Sequence, residues 1–282
     1  MRNLLIFGLG YSAQVLAARL RAEGWTVRGT GRAGDIAFED RAAVLAALAG
    51  ASHVLSSVPP LREGGDPVLA AYGDALRDAK AQWIGYLSST GVYGDTGGAW
   101  VDESAPVGGG RRNARAEADL AWQALDPRVR VFRLPGIYGP GRSALDRVAQ
   151  GTAHRIDLPG QVFSRVHVDD IASGVIASFS GPPGVYNLAD DLPCGQNAVI
   201  EEAAHLLGCA PPPLQSLEEA GLSPMARAFY AENRRVANGK ARRVLGWRLG
   251  YPTYRDGLRA LSATTSPASA SADPAAASTD QR

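Results

Sequence analysis

LLIFGLGYSA (residues 4–13) joins a short apolar run to a helical pattern through two glycines. Leu4 to Phe7 read as a buried strand. Gly8 permits a tight turn after it. Gly10 carries no side chain, so a pyrophosphate can approach the backbone there. Ala13 is small enough for the helix to pack close to the strand. The N–H groups at the helix start, at Tyr11 and Ser12, would hold the phosphates with the positive end of the helix dipole. This order is the strand–turn–helix of a dinucleotide-binding unit. The alternative is a glycine turn with a structural role only.

Working outward, strands alternate with helices. A helix over 12–23 carries Val15, Leu16 and Leu20 on one face, and Gly24 ends it. Strands are predicted at 25–29, 53–58, 83–88 and 129–134. Helices are predicted at 40–49, 66–81 and 112–125. The alternation implies a doubly wound parallel sheet, a Rossmann fold of the α/β class, covered on both faces. Beyond residue 140 the pattern loosens. Helices over 143–150, 169–179 and 196–207 and strands near 162–168 and 185–188 are predicted. Residues 1–140 are therefore read as the dinucleotide-binding core. Residues 141–261 are read as a smaller C-terminal substrate lobe, with some strands and helices returning to the core. Residues 262–282 hold almost only Ser, Ala, Thr, Pro and Asp, and are predicted to be a disordered tail.

Composition narrows the function. At 282 residues, with 45% hydrophobic content, the chain can bury a large core. A net charge of +1 offers no basic field for nucleic acid. Cys194 and Cys209 are the only cysteines and form no CxxC, which argues against a disulfide framework and a metal site. A reducing cytoplasm is the expected compartment. The apolar run at the N-terminus breaks at Gly8 and is read as a strand, not as a secretion signal. No apolar run approaches the roughly 18 residues that span a bilayer.

Five later motifs are YLSSTGVYGD (86–95), FRLPGIYGPGR (132–142), RVHVDDIA (165–172), VYNLAD (185–190) and RRVLGW (242–247). Their order and spacing resemble the extended short-chain dehydrogenase/reductases, the group of sugar-nucleotide epimerases and dehydratases. The resemblance covers residues 1–261 and fits an atypical branch, because the glycine fingerprint reads GxGxxA where extended members show GxxGxxG. It implies a nicotinamide cofactor. It also places the end of the third strand along the cofactor ribose, which makes Ser57 and the Val58 backbone contacts; alternatively, the serines cap the turn.

The second strand bears on which cofactor. NAD sites place an acidic residue at its end to accept from the adenine ribose. Here the chain reads Arg28-Gly29-Thr30-Gly31-Arg32, with no carboxylate before Asp35. Arg32 could fork onto a 2′-phosphate and Thr30 could add a hydroxyl, which favours NADP over NAD. The other reading of Arg32 is a solvated loop arginine.

The resemblance also implies catalytic residues. Ser89 matches the family's catalytic serine, and Thr90 is its neighbour. The family's tyrosine and lysine, four residues apart, are absent. Lys80 and Lys240 are the only lysines, and the positions four before them are Leu76 and Val236. In the expected helix the chain reads GRRNARAEAD (110–119). Arg111 and Arg115 have the right spacing, and Arg115 could replace the lysine's electrostatic role. Arginine stays protonated, so Arg111 cannot act as a general acid. Alternatively these arginines form a solvated face with Glu117 and Asp119. Tyr93 and Tyr138 are read as structural, and His167 as a core residue at a strand–helix join. Asp169 or Asp170 is expected to cap the helix that follows. Arg142 and Arg165 either clamp an anionic substrate group or form salt bridges.

The expected function is an NADP-preferring epimerase/dehydratase-like oxidoreductase acting on a small polar or nucleotide-linked substrate, with no nucleic-acid or membrane partner and a homodimer as the expected assembly. The alternative is a non-catalytic NADP-binding sensor.

Overall fold

The computed structural model describes residues 2–108, 113–222, 227 and 230–265. The first half runs β1 (Asn3–Phe7), α1 (Tyr11–Ala22), β2 (Thr26–Gly29), α2 (Arg41–Gly50), β3 (His53–Ser56), α3 (Pro67–Asp78), β4 (Trp83–Ser89), β5 (Trp100–Val101), α4 (Asn113–Leu125) and β6 (Val129–Leu134). Then follow β7 (Gly136–Tyr138), α5 (Ala144–Ala149), β8 (Arg155–Ile156), β9 (Arg165–His167), α6 (Val168–Ala177), β10 (Gly184–Asn187) and α7 (Gln196–Leu206). The last elements are β11 (Leu214–Gln215), β12 (Arg235–Val236), α8 (Gly239–Leu245) and α9 (Tyr254–Thr265).

Six strands make one parallel sheet in the order β10-β6-β4-β3-β1-β2. Side chains alternate across each strand, so β1 feeds two cores. Leu4 and Ile6 face Leu16 and Leu20 of α1 and Ile171 and Val175 of α6. Leu5 and Phe7 face Val44 of α2, Tyr72 and Leu76 of α3, and Trp122 of α4. Burial of each such side chain is worth about 1.5–3 kcal/mol, and both faces supply it. That is the doubly wound arrangement. The strand order reverses between β1 and β3, which opens a crevice at the carboxyl edge of the sheet. A separate apolar cluster joins α5, α7 and α9 through Leu145, Val199, Ile200, Tyr254 and Leu258.

Local signals explain the helix starts. Asp40 accepts from the Ala43 N–H at 3.0 Å and caps α2. Asp66 accepts from Val68 and Leu69 N–H, with Pro67 at the first helical position of α3. Its second oxygen takes the Trp122 indole N–H at 2.8 Å and ties α3 to α4. At α6 the cap is neither Asp169 nor Asp170. His167 Nδ1 accepts from the Asp169 N–H at 3.2 Å. Asp170 turns inward and accepts from Gly250 and Tyr251 N–H at 2.6 and 3.0 Å, anchoring the segment before α9.

Three expectations shift. The strand at 53–58 ends at Ser56, because Ser57 turns away to bond Gly8. The tail boundary at 262 falls inside α9, which extends to Thr265; residues 266–282 lie outside the described residues. Asp119 is not on a solvated face. It is fully buried and forks onto Arg133, 3% exposed, with Nη2–Oδ1 at 2.8 Å and Nε–Oδ2 at 3.1 Å. The period of α4 points Asp119 inward with Ala116 and Trp122, and a buried carboxylate needs a cation. Arg133 Nη1 donates to the Tyr93 hydroxyl at 3.0 Å, and Tyr93 donates to Asn187 Oδ1 at 2.8 Å. The network thus links α4, β6 and β10.

Removing one partner of this pair leaves a buried charge uncompensated. Asp119→Ala is expected to cost about 3–5 kcal/mol in urea denaturation. Asp190, after β10, supplies a pH test. Burial pushes its carboxyl from 3.8 up to about 7, and Oδ2 has no partner among the described residues. The folded state therefore holds a proton that the unfolded chain has lost between these values, so stability falls as pH rises from about 4 to about 7. Asp190→Asn is expected to gain stability over the parent at pH 8 and to lose that advantage at pH 4.

Candidate active site

A cleft of about 500 Å³ opens at the carboxyl edge of the sheet, where β1, β3, β4 and β6 end side by side. Gly10, Tyr11 and Ser12 form one wall, with Ser57 beside them. Ser88, Ser89 and Arg115 form the floor, and Leu134 to Ile137 continue it. Glu232 and Arg234 close the far side.

The glycine turn is held from both neighbouring strands. Gly8 has φ +80°, and a Cβ there would lie 2.8 Å from Val58 Cγ2. Its N–H donates to Thr30 Oγ1 at 3.0 Å, and its carbonyl accepts from Ser57 Oγ. Gly10 differs: a Cβ there would meet nothing within 4 Å. Its side-chain space opens onto the cleft rather than onto protein. Helix α1 has no side-chain cap and no acidic residue in its first turn. Its first N–H groups therefore lack an acceptor within the helix, and the positive end of the dipole faces the cleft. This cradle fits the pyrophosphate of a dinucleotide.

The structure redistributes the expected cofactor residues. Gly10, Tyr11, Ser12 and Ser57 line the cleft. Thr30 is 1% exposed and its hydroxyl is committed to Gly8, so it adds no hydroxyl to a ligand. Val58 packs against Gly8. Arg32 stands exposed beyond the end of β2. A carboxylate is present there after all. Asp35 folds back so that Oδ2 accepts from Arg28 Nε and Oδ1 from the Gly29 N–H, each at 2.8 Å. The five-residue excursion after Thr30 returns the chain to β2, which linear spacing does not reveal. Partial burial opposes ionisation of Asp35, but these donors outweigh it and hold its carboxyl below 3.8.

Ser89 lies at the end of β4 on the cleft floor, and its Oγ accepts from the Gly91 N–H at 3.1 Å. This serine caps the turn and lines the cleft. Thr90 is buried behind it and does not line the cleft. Ser88 donates to Asp119 Oδ2 at 2.6 Å, which fixes the floor to the buried ion pair. Arg115, one turn before Asp119, lines the cleft beside the buried Tyr86. Burial raises the Tyr86 phenol against the opposing charge of Arg115, so Tyr86 stays protonated. Arg111 lies outside the described residues.

Two groups escaped sequence reasoning. Glu232 and Arg234 pair at 2.8 Å, and Arg234 also bonds the Gly94 carbonyl. They sit in the irregular segment before β12, with no periodic pattern or motif to mark them. Tyr11 is also more than a turn residue. Its hydroxyl donates to the Pro140 carbonyl at 3.1 Å, and the Arg142 guanidinium lies 5.6 Å from its ring centroid. Arg142 forms no salt bridge among the described residues. Arg165, buried, donates to the Phe163 and Cys194 carbonyls and to Gln196 Oε1, not to a carboxylate.

No protein-family model matches the chain. A 3-diazoavenalumate denitrifying reductase from a Streptomyces species is 30% identical, over 92% of this chain and 99% of its own. A conserved protein from Silicibacter pomeroyi DSS, described as functionally unknown, superposes with a TM-score of 0.83 at 45% identity, covering 94% of this chain and 99% of that one. Human epimerase family protein SDR39U1, solved with NADPH, superposes with a TM-score of 0.72 at 17% identity, over 93% and 99% of the two chains. A “putative NAD-dependent epimerase/dehydratase” from Methylobacillus flagellatus superposes with a TM-score of 0.69 at 25% identity, over 93% and 98% of the two chains. With the 30% identity to the reductase over nearly the whole of both chains, this shows that the chain belongs to the extended short-chain dehydrogenase/reductase superfamily, as an atypical, epimerase/dehydratase-like member.

Proposed function

We propose that this protein is an oxidoreductase that binds a nicotinamide dinucleotide, NADP in preference to NAD, and exchanges hydride with a small polar substrate. The observation that carries the reading is the Gly10 cradle: an open side-chain space, uncapped helix N–H groups and the Ser89 floor share one cleft. The reductase relative and the NADPH-bound structural neighbour support it.

The α1 terminus would hold the pyrophosphate. At the β2 end, Arg28 and the Gly29 N–H occupy the Asp35 carboxylate, which weakens it as a ribose acceptor. Arg32 is an exposed guanidinium that can take a 2′-phosphate. A nicotinamide at the floor would supply or accept the hydride. Ser89 Oγ accepts from Gly91, so its own proton is free to donate to a substrate oxygen. Arg115, which lines the cleft floor, would supply the positive charge that the resemblance assigns to the family's lysine.

A second reading, a cofactor-binding sensor without turnover, has one observation in its favour. Among the described residues the cleft's phenol and carboxylate are both engaged: Tyr11 donates to Pro140, and Glu232 pairs with Arg234. Multiple turnovers of NADPH with any carbonyl, imine or diazo acceptor support the enzyme. Unequal affinity for NADPH and NADP⁺ with no turnover across such a panel supports the sensor.

Three variants test the cofactor assignment, by calorimetric titration and by melting temperature. Arg32→Ala is expected to weaken NADP⁺ binding by about tenfold, roughly 1.4 kcal/mol, and to leave NAD⁺ nearly unchanged; equal losses would remove the basis for the preference. Gly10→Ala is expected to keep the parent melting temperature and lose dinucleotide affinity, because its methyl enters ligand space. Gly8→Ala is expected to unfold earlier, because its methyl meets Val58 in a left-handed backbone.

A further inference from the structure

A second cleft of about 420 Å³ adjoins the first and shares Ile137, Arg142, Phe163 and Ser164 with it. Arg142, Arg147 and Arg165 line it. Asp146 is its one lining carboxylate among the described residues; its Oδ2 accepts from Ser143 N–H and Oγ at 2.7 Å each in the α5 cap, and its charge acts on Arg147. None of the three arginines forms an ion pair with a carboxylate among the described residues. Arg165 is 7% exposed; its hydrogen bonds go to carbonyl, amide and thiol acceptors, and the buried Asp190 carboxyl lies within its electrostatic reach. Arg142 stands at the opening between the clefts, held over the Tyr11 ring. The opposite wall is apolar, made by Val199, Tyr254 and Leu258.

An excess of guanidinium groups over carboxylates in a concave, partly apolar site favours an anion. The apolar wall asks for a hydrocarbon body behind that anion. The volume lies near the lower end of the ~300–1,000 Å³ common for small-molecule clefts. That suits a compact acid better than a nucleoside diphosphate sugar. We propose that the substrate is an organic carboxylic acid with an apolar body, seated in this second cleft with its carboxylate on Arg142 and its reacting end turned through the shared wall toward Ser89. The proposal rests on the cofactor lying in the first cleft.

The test uses cinnamate as probe, with cinnamamide as its uncharged counterpart and UDP-glucose as the nucleotide-sugar competitor. Each is titrated calorimetrically into the full chain, with and without saturating NADP⁺. NADP⁺ binding is measured separately, so loss of the cofactor reading is seen on its own. Cinnamate is expected to bind the NADP⁺-loaded protein at least about tenfold more tightly than cinnamamide. Arg142→Gln is expected to abolish that difference, with its NADP⁺ affinity measured alongside because Arg142 also lines the first cleft, and Arg142→Lys is expected to restore part of it. Equal affinity for acid and amide, no binding of cinnamate, or tighter binding of UDP-glucose overturns the proposal. So does an Arg142→Gln variant that binds cinnamate as the parent does.

Discussion

Gly8 is clasped by two side chains at once. Thr30, from the end of β2, accepts its N–H, and Ser57, from the end of β3, donates to its carbonyl. The turn therefore cannot move without disturbing three adjacent strands. This clasp fixes where α1 begins and aims its free N–H groups into the crevice. It also explains why the chain tolerates no side chain at Gly8, while the site beyond it needs none at Gly10. Each hydroxyl makes one hydrogen bond to the backbone, and together they hold the glycine turn in one conformation.

A second constraint holds the floor. The buried Asp119–Arg133 pair takes Ser88 on one side and Tyr93 on the other. Such a pair adds modest net stability, because desolvation offsets the attraction. Its effect is positional. The end of β4, the inner face of α4 and the end of β10 meet in one arrangement, and Ser89 and Arg115 are presented from that frame. The atypical helix sequence is thus partly architectural: its buried carboxylate serves the fold, and among its described residues Arg115 is the one that lines the cleft.

Periodicity made much of this legible. The apolar runs of the first five sheet strands, the Gly24 stop and the alternation of helix and strand follow from local chemistry, and the alternation implied the doubly wound sheet. What sequence spacing could not carry was distance in space. Asp35 looks remote from β2 and returns to it through two hydrogen bonds. Thr30 and Ser57 have the residue types of ligand contacts, but the nearest polar groups are those of Gly8, so their hydroxyls are committed to the turn. Asp119 reads as solvated among charges until the helix phase turns it inward. Glu232 and Arg234 belong to a segment with no period at all, and only the folded chain brings them to the cleft.

The phenol of Tyr11 reaches across to the Pro140 carbonyl, and its ring supports Arg142. One side chain therefore stands in the glycine turn at its base and touches, through Arg142, a wall of the second cleft at its tip. It is a strut between two chambers. If occupying one chamber alters the pose of that strut, it changes affinity in the other, and thermodynamic reciprocity makes the effect equal in both directions. Coupling between the two chambers would then be a property of a single tyrosine rather than of a moving lid.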